Sequence, residues 1–332
     1  MNHELMFLMI NYITAKNNTP MKIKLALLTT ALALTTAQVY AQTLYMGPGQ
    51  TYSSMEEVQE VIQEGDVLEI APGTYRDCAS FDVDNITIRP KGWPNHEGKV
   101  RFQDVSCEGK GIFVIVGDNI RVDAIEFINA KVPDLNGSGI RFNGKRLFVY
   151  DSYFYNNEVG IMTGDNPDAD IVVSRSVFES NGKVPPRWGH GLYVNEGKRL
   201  KVTDSLFIKQ KTGHHIKSRA MYTEVIGNEI ADGMDGNASY AIDIANGGSV
   251  LIENNVIQKG PLSDNITTVI CVACEGGTNP GEKIIVRNNT FTNDTSSNKV
   301  VFLRNLTSNK EEVTNNKFKG NDVVLISNDF AS

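Results

Sequence analysis

One short phrase returns along most of this 332-residue chain: a polar residue, usually Ser or Asn, then a spacer, then Phe or Ile, then a polar turn. It places Phe127, Phe154, Phe178, Phe207, Ile230, Ile257, Phe291 and Phe318 at equivalent points, with steps that vary but return to that between Phe127 and Phe154. Before most of them lies a short alternating apolar run, such as Leu147-Phe148-Val149 or Leu200-Lys201-Val202, which is the period of a strand. A repeat this long confines the chain to stacked architectures, because one unit cannot bury a core alone and must bury it against its neighbours. Leucine-rich repeats would need Leu-x-x-Leu-x-Leu and usually a helix per unit, and neither is present. Three short strands per unit with Asn and Gly at the corners predict an all-β fold: a single-stranded right-handed parallel β-helix of roughly ten coils. The 29 Gly and the many Asn then become corner residues. Asn tolerates left-handed backbone, and its amide can bond the amide of the next coil.

The N-terminal part reads differently. Met21-Lys22-Ile23-Lys24 leads into a short apolar run and closes with Val39-Tyr40-Ala41, the pattern of a signal peptide cleaved after Ala41. Residues 1–41 are thus an extension and leader, and residues 42–332 the β-helix domain. The apolar run falls short of the roughly 20 residues that cross a bilayer, so no membrane span is expected. Cleavage removes three lysines and one glutamate and takes the formal charge from −7 to −9. An acidic protein is a poor nucleic-acid binder, since displacing counterions from phosphates needs a basic excess. The expected product is secreted or periplasmic, and a monomer.

Residues 51–62 have the pattern of a short amphipathic helix, followed by a strand and the turn Pro72-Gly73-Thr74-Tyr75. This resembles the opening of secreted bacterial right-handed parallel β-helix proteins that act on carbohydrates, the pectate-lyase-like superfamily, where a helix caps the open end of the coil. On that fold Cys78 and Cys107, about one coil apart, are candidates for a disulfide. Cys271 and Cys274 sit in an alternating run that would put them on opposite faces, so a bond between them is not expected. Cys-x-x-Cys alone also lacks the further ligands of a zinc site, and no metal ligand is assigned. A single Ca²⁺ at the acidic turn Asp232–Asn237 is the one cofactor candidate.

Chemistry-bearing side chains concentrate between residues 186 and 246, which hold three of the five histidines. The segments are Trp188–Val194, Thr212–Arg219 and Ser239–Asn246. Carrying over the steps from Phe207 to Ile230 and from Ile230 to Ile257 would stack Leu192, His215 and Ile242, but it would also turn Lys217 inward beside Val194 and Ile244. A one-residue bulge flips facing and brings Tyr193, His215, Lys217, Arg219, Asp243 and Asn246 to one outer face. Lyases and epimerases of uronic acids need a cation to neutralise the carboxylate, a base for the C5 proton and a proton donor. Lys217, His215, Arg219, Tyr193 and Asp243 supply those types and are the catalytic candidates. His190, His214, Tyr240, Asn246 and Glu275 are candidates for binding an acidic polysaccharide.

Gly189-His190-Gly191 followed one coil later by His215-Ile216-Lys217 partly resembles polygalacturonases, whose second motif is Arg-Ile-Lys. Those hydrolases also carry an Asp-Asp pair, absent here; Asp165, Asp168 and Asp170 lie in what reads as a loop. Three readings remain: a lyase or C5-epimerase, a noncatalytic polysaccharide-binding envelope protein, and a polygalacturonase-like hydrolase. Mass spectrometry of the exported product should find Gln42 at its N-terminus; a product retaining residues 21–41 would refute the cleavage site.

Overall fold

The computed structural model describes residues 41–183, 188–297 and 299–327. The leader expected over residues 1–41 lies, but for Ala41, outside them. The described chain is almost wholly short parallel strands. In one coil Ser138–Phe142, Arg146–Tyr150 and Tyr153–Tyr155 lie on a first, second and third face, and each pairs with its counterparts one coil before and one coil after. The third face holds ten strands. In two coils, Leu192–Thr203 and Ile216–Ile226 run without a break across the first two faces. This is the expected parallel β-solenoid of about ten coils.

The repeat residues meet in one unbroken ladder on the third face, from Phe127 through Phe154, Phe178, Phe207, Ile230, Ile257 and Phe291 to Phe318. The rings of Phe127, Phe154, Phe178 and Phe207 stack with centroids 5.1, 4.7 and 4.5 Å apart. That spacing follows from strand pairing at about 4.8 Å. Burying each ring contributes roughly 1.5–3 kcal/mol, so the ladder is a main source of cohesion between coils.

The corner before this face divides a task that the sequence credits to one asparagine. Asp151, Arg175, Asp204, Asn254, Asn288 and Asn315 take left-handed φ of 49–58°. The residue after each of them forms the polar ladder. Side-chain oxygens of Ser176, Ser205, Asn228, Asn255, Asn289 and Asn316 each accept the backbone N–H of the ladder residue one coil earlier, at 2.9–3.2 Å. Asn228, Asn255 and Asn289 also return their amide hydrogens to the carbonyls of Val202, Val225 and Ile252. Turn and ladder are therefore adjacent positions, with the amide buried and the left-handed residue outside it.

At the N-terminal end the helix spans Met55–Gln59, shorter than the expected 51–62, with Ser54 as its N-cap and Met55 and Val58 buried in the core. Cys78 and Cys107 are bonded, with Cα atoms 5.6 Å apart. Cys271 and Cys274 are bonded as well, which corrects the expectation from alternation. The strand stops at Val272, and Ala273 turns the chain at φ 64°, so Cys274 swings back toward Cys271. No helix among the described residues is long and apolar enough to cross a membrane.

Asn255→Ala removes an acceptor and two donors from a buried ladder and leaves the N–H of Asn228 unpaired. It should cost about 2 kcal/mol or more, read as a lower denaturant midpoint with an unchanged m-value.

Candidate functional site

The site is a consequence of register on the first face. Leu192, Ile216, Ile242 and Ile270 form an inward ladder, and Tyr193, Lys217, Asp243 and Cys271 form the outward ladder beside it. The steps between these residues are not those of the third face, because corners of unequal length absorb the difference. A bulge does occur, at Asn195 between Val194 and Glu196, where Asn195 bonds the hydroxyl and the carbonyl of Thr163. The register alone brings Lys217 outward onto Tyr193.

A cleft of about 490 Å³ opens over this ladder, with Leu135, Met162 and Trp188 among its walls and His190, Tyr193, His214, Lys217 and Glu275 at its floor. Lys217 donates to Glu275 and lies 3.5 Å from an oxygen of Asp243. Arg219 donates from Nε to Tyr193 Oη at 3.0 Å and from a terminal nitrogen to Asn246 at 2.7 Å, and also reaches Glu275. Glu275 comes from a long corner two coils away, and Asn279 of that corner bonds back to the carbonyls of Arg219 and Ala220. Asp243 is wholly buried and sits beneath the cleft, between Lys217 and His214. It positions those groups and does not meet a ligand itself.

Three rings stack beside this ladder: His190 on His214 at 5.0 Å, and His214 on Tyr240 at 4.9 Å. Nδ1 of His190 accepts the backbone N–H of His214, and Nδ1 of His214 accepts that of Tyr240, each at 3.0 Å. A neutral imidazole that accepts at Nδ1 carries its hydrogen on Nε2. Both histidines thus carry their hydrogen on Nε2, and that of His214 faces the buried Asp243 at 3.4 Å. Gly213 permits this, since at φ 69° a Cβ would lie 2.0 Å from the Gly189 carbonyl and 2.8 Å from His190 Nδ1.

Electrostatics agree with that tautomer. Burial, with the charges of Lys217 and Arg219, pushes His190 down to about 3. Burial and the neighbouring His190 and Lys217 hold His214 well below the ordinary histidine range. Burial pushes the Asp243 carboxyl up to about 6, with Lys217 opposing it. For Glu275, burial is outweighed by Lys217 and Arg219, which hold it below the usual carboxylate range.

His215 is not part of the site. It precedes the strand by one residue, and its Nε2 bonds the buried Asp232 at 2.9 Å. It is His214 that faces the cleft, because the register sets Ile216, and not His215, beside Leu192. The Ca²⁺ candidate also fails: Asp232 spends its oxygens on His215, the Gly260 N–H and the Ser263 hydroxyl. Ligand atoms of His214, Asp243 and Glu275 do lie within 4.8 Å of one another. However, His214 presents a hydrogen there, and the Lys217 ammonium is bonded to Glu275 and stands 3.5 Å from Asp243, so the set does not suit a cation. Sequence reasoning missed Met162, Trp188 and Asp264, which also line the cleft. Met162 was findable as the partner of Tyr193 one coil earlier.

The chain belongs to the right-handed beta helix region family, which matches residues 95–230 and 165–330. Among solved structures it is similar to the pectin methylesterase of Aspergillus niger, at 9% identity and a TM-score of 0.36 over 85% of this chain and 86% of that one. It is also similar to the A-module of the mannuronan C-5 epimerase AlgE4 of Azotobacter vinelandii, at 12% identity and a TM-score of 0.32 over 79% and 89%. No curated protein matches the sequence.

The histidine tautomer has a pH consequence. Between about pH 6.5 and 3 the unfolded chain protonates His190 and the folded one does not, so stability present above 6.5 is lost as pH falls through that window. His190→Asn should flatten the fall of the urea midpoint there. An equally steep fall in the variant would contradict the assignment.

Proposed function

We propose that the cleft binds a uronic-acid polysaccharide and removes the proton at C5, as a lyase or C5-epimerase. One observation carries this reading: Lys217, two neutral imidazoles and Tyr193 line a single cleft, and Arg219 donates to the Tyr193 hydroxyl. Lys217 and the Nε2–H of His190 would hold the uronate carboxylate and stabilise the charge that grows on it as the C5–H bond breaks, while the Nε2–H of His214 stays turned to Asp243. Tyr193 would carry the proton. Its oxygen accepts from Arg219, and an oxygen held by a guanidinium is a suitable place for negative charge. As tyrosinate it takes the C5 proton. In elimination the C5 electron pair then forms the C4–C5 double bond, the C4–O bond breaks, and the leaving oxygen takes the proton from Tyr193. In epimerisation a water on the opposite face gives C5 a proton, and Tyr193 releases the one it took to the hydroxide left behind.

His215, placed away from the cleft, has no part in this, and Asp243 and Asn246 act by positioning Lys217, His214 and Arg219. Hydrolysis is less well supported. An inverting pair needs room for water, with carboxyls about 6.5–9.5 Å apart, whereas Asp243 and Glu275 approach within 4.8 Å. We read the product as an exported monomer. The bonded pair Cys78–Cys107 supports an oxidising compartment.

Incubation with polymannuronate, polyguluronate and polygalacturonate should produce absorbance at about 235 nm from the unsaturated uronide left by elimination, or deuterium uptake at C5 without it. Tyr193→Phe should lower either signal about 100-fold or more while binding persists. Binding without either signal in the native protein would make it a polysaccharide-binding protein. Reducing ends without absorbance would make it a hydrolase.

A further inference from the structure

The outward ladder through the site does not end at the cleft. Traced coil by coil it runs Arg141, Met162, Tyr193, Lys217, Asp243, Cys271, Arg304. Arg141 is three coils before Lys217 and Arg304 three coils after it. At a coil spacing of about 4.8 Å these cations recur every 14 Å or so along one line, about 29 Å from end to end.

Both outer arginines differ from the rest. Among the described residues every other half-buried arginine lies in an ion pair with a carboxylate, as Arg89 does with Glu69, Arg101 with Glu126, Arg199 with Asp170, Arg219 with Glu275 and Arg287 with Glu253. Arg141 and Arg304 have no such pair. Arg141 is partly desolvated, and its electrostatic neighbours are Asp165 and Tyr193. Arg304 has a buried Nε with no hydrogen-bond partner and lies close enough to Tyr240 to act on it electrostatically. Holding a guanidinium partly out of water without a directly paired carboxylate costs free energy. Both stand on the same ladder as Lys217, so both belong to the face that carries the cleft.

We propose that Arg141 and Arg304 are two outlying carboxylate subsites, and that a polyuronate chain lies along the solenoid axis with Lys217 at its centre. The inference rests on the proposed function for the class of ligand, but it concerns where and at what length the polymer is held. A chain carries one carboxylate per sugar, so a strand laid along this line meets a cation at its middle and at both ends. The apolar walls, with Trp188 about half exposed at 53%, offer the sugar rings a flat surface between those points.

The test is calorimetric binding of oligomannuronates and oligogalacturonates of two to eight sugars to the Tyr193→Phe protein, which does not consume them. Affinity should tighten in two steps as length increases, once when the chain reaches one outer arginine and again when it reaches the other. Arg141→Gln and Arg304→Gln should each abolish one step, weakening the longest chain about five- to tenfold, as expected for one ionic contact, and leaving the disaccharide unchanged. Arg141→Lys should restore most of the loss. If a Gln variant has a lowered denaturant midpoint, Arg304→Met or Arg141→Met keeps the aliphatic stem and removes the charge. Equal affinity for long chains in the Tyr193→Phe protein and in both arginine variants of it, or a smooth dependence on length, overturns the inference and leaves the proposed function intact. Failure of every oligouronate to bind overturns both.

Discussion

The parallel hydrogen bonds between coils govern everything else in this molecule. A short strand in such a stack cannot satisfy its own N–H and C=O groups, so each must meet the strands above and below on the same face. Three faces must hold that register at once, although coils differ in length. The corners make this workable. A left-handed residue turns the chain, and the next residue sends its side chain up or down the stack to bond backbone groups that the turn leaves unpaired. Phe127 to Phe207 then fall into contact because their backbones already have.

The same register assembles the cleft. Residues one coil apart become neighbours on one face, so Tyr193, Lys217 and Asp243 need no long-range design beyond their place on the ladder. What the ladder cannot supply is neutrality. Two cations half withdrawn from water would be costly alone, and Asp243 from below and Glu275 from a distant corner offset them. The imidazole stack is fixed by a separate device, backbone N–H groups aimed at Nδ1, which removes the histidines from the list of bases and makes them donors.

The fold was legible in the sequence almost to the residue on the third face, because the repeat residues are core residues, and a core position tolerates few alternatives. The first face was less legible. Its steps are not those of the third face, and carrying the step from Phe207 to Ile230 across to it put His215 among the catalytic candidates and His214 only among the binding ones. Lys217, Arg219 and Tyr193, which the structure brings together, were legible because chemistry-bearing types cluster in sequence where consecutive coils lie side by side; Glu275, on a corner, lies outside that stretch. Trp188 and Asp264 were not legible, since corners have no period to read. The bond between Cys271 and Cys274 was missed for a related reason: alternation predicts facing only as far as the strand continues, and this strand ends between them.

The corner that carries Cys274, Glu275 and Asn279 belongs to the longest unit of the repeat, the one between Ile257 and Phe291. Its extra length folds back over two earlier coils and leaves the ladders beneath it undisturbed. Lengthening such a loop costs little, about 0.6 kcal/mol for each doubling. A solenoid of this kind can therefore gain or exchange a side chain over its cleft by insertion at one corner, with no change to the stack. Scaffold and reactivity are free to evolve at different rates, and the place to look for divergence among chains that share this core is the length of that corner.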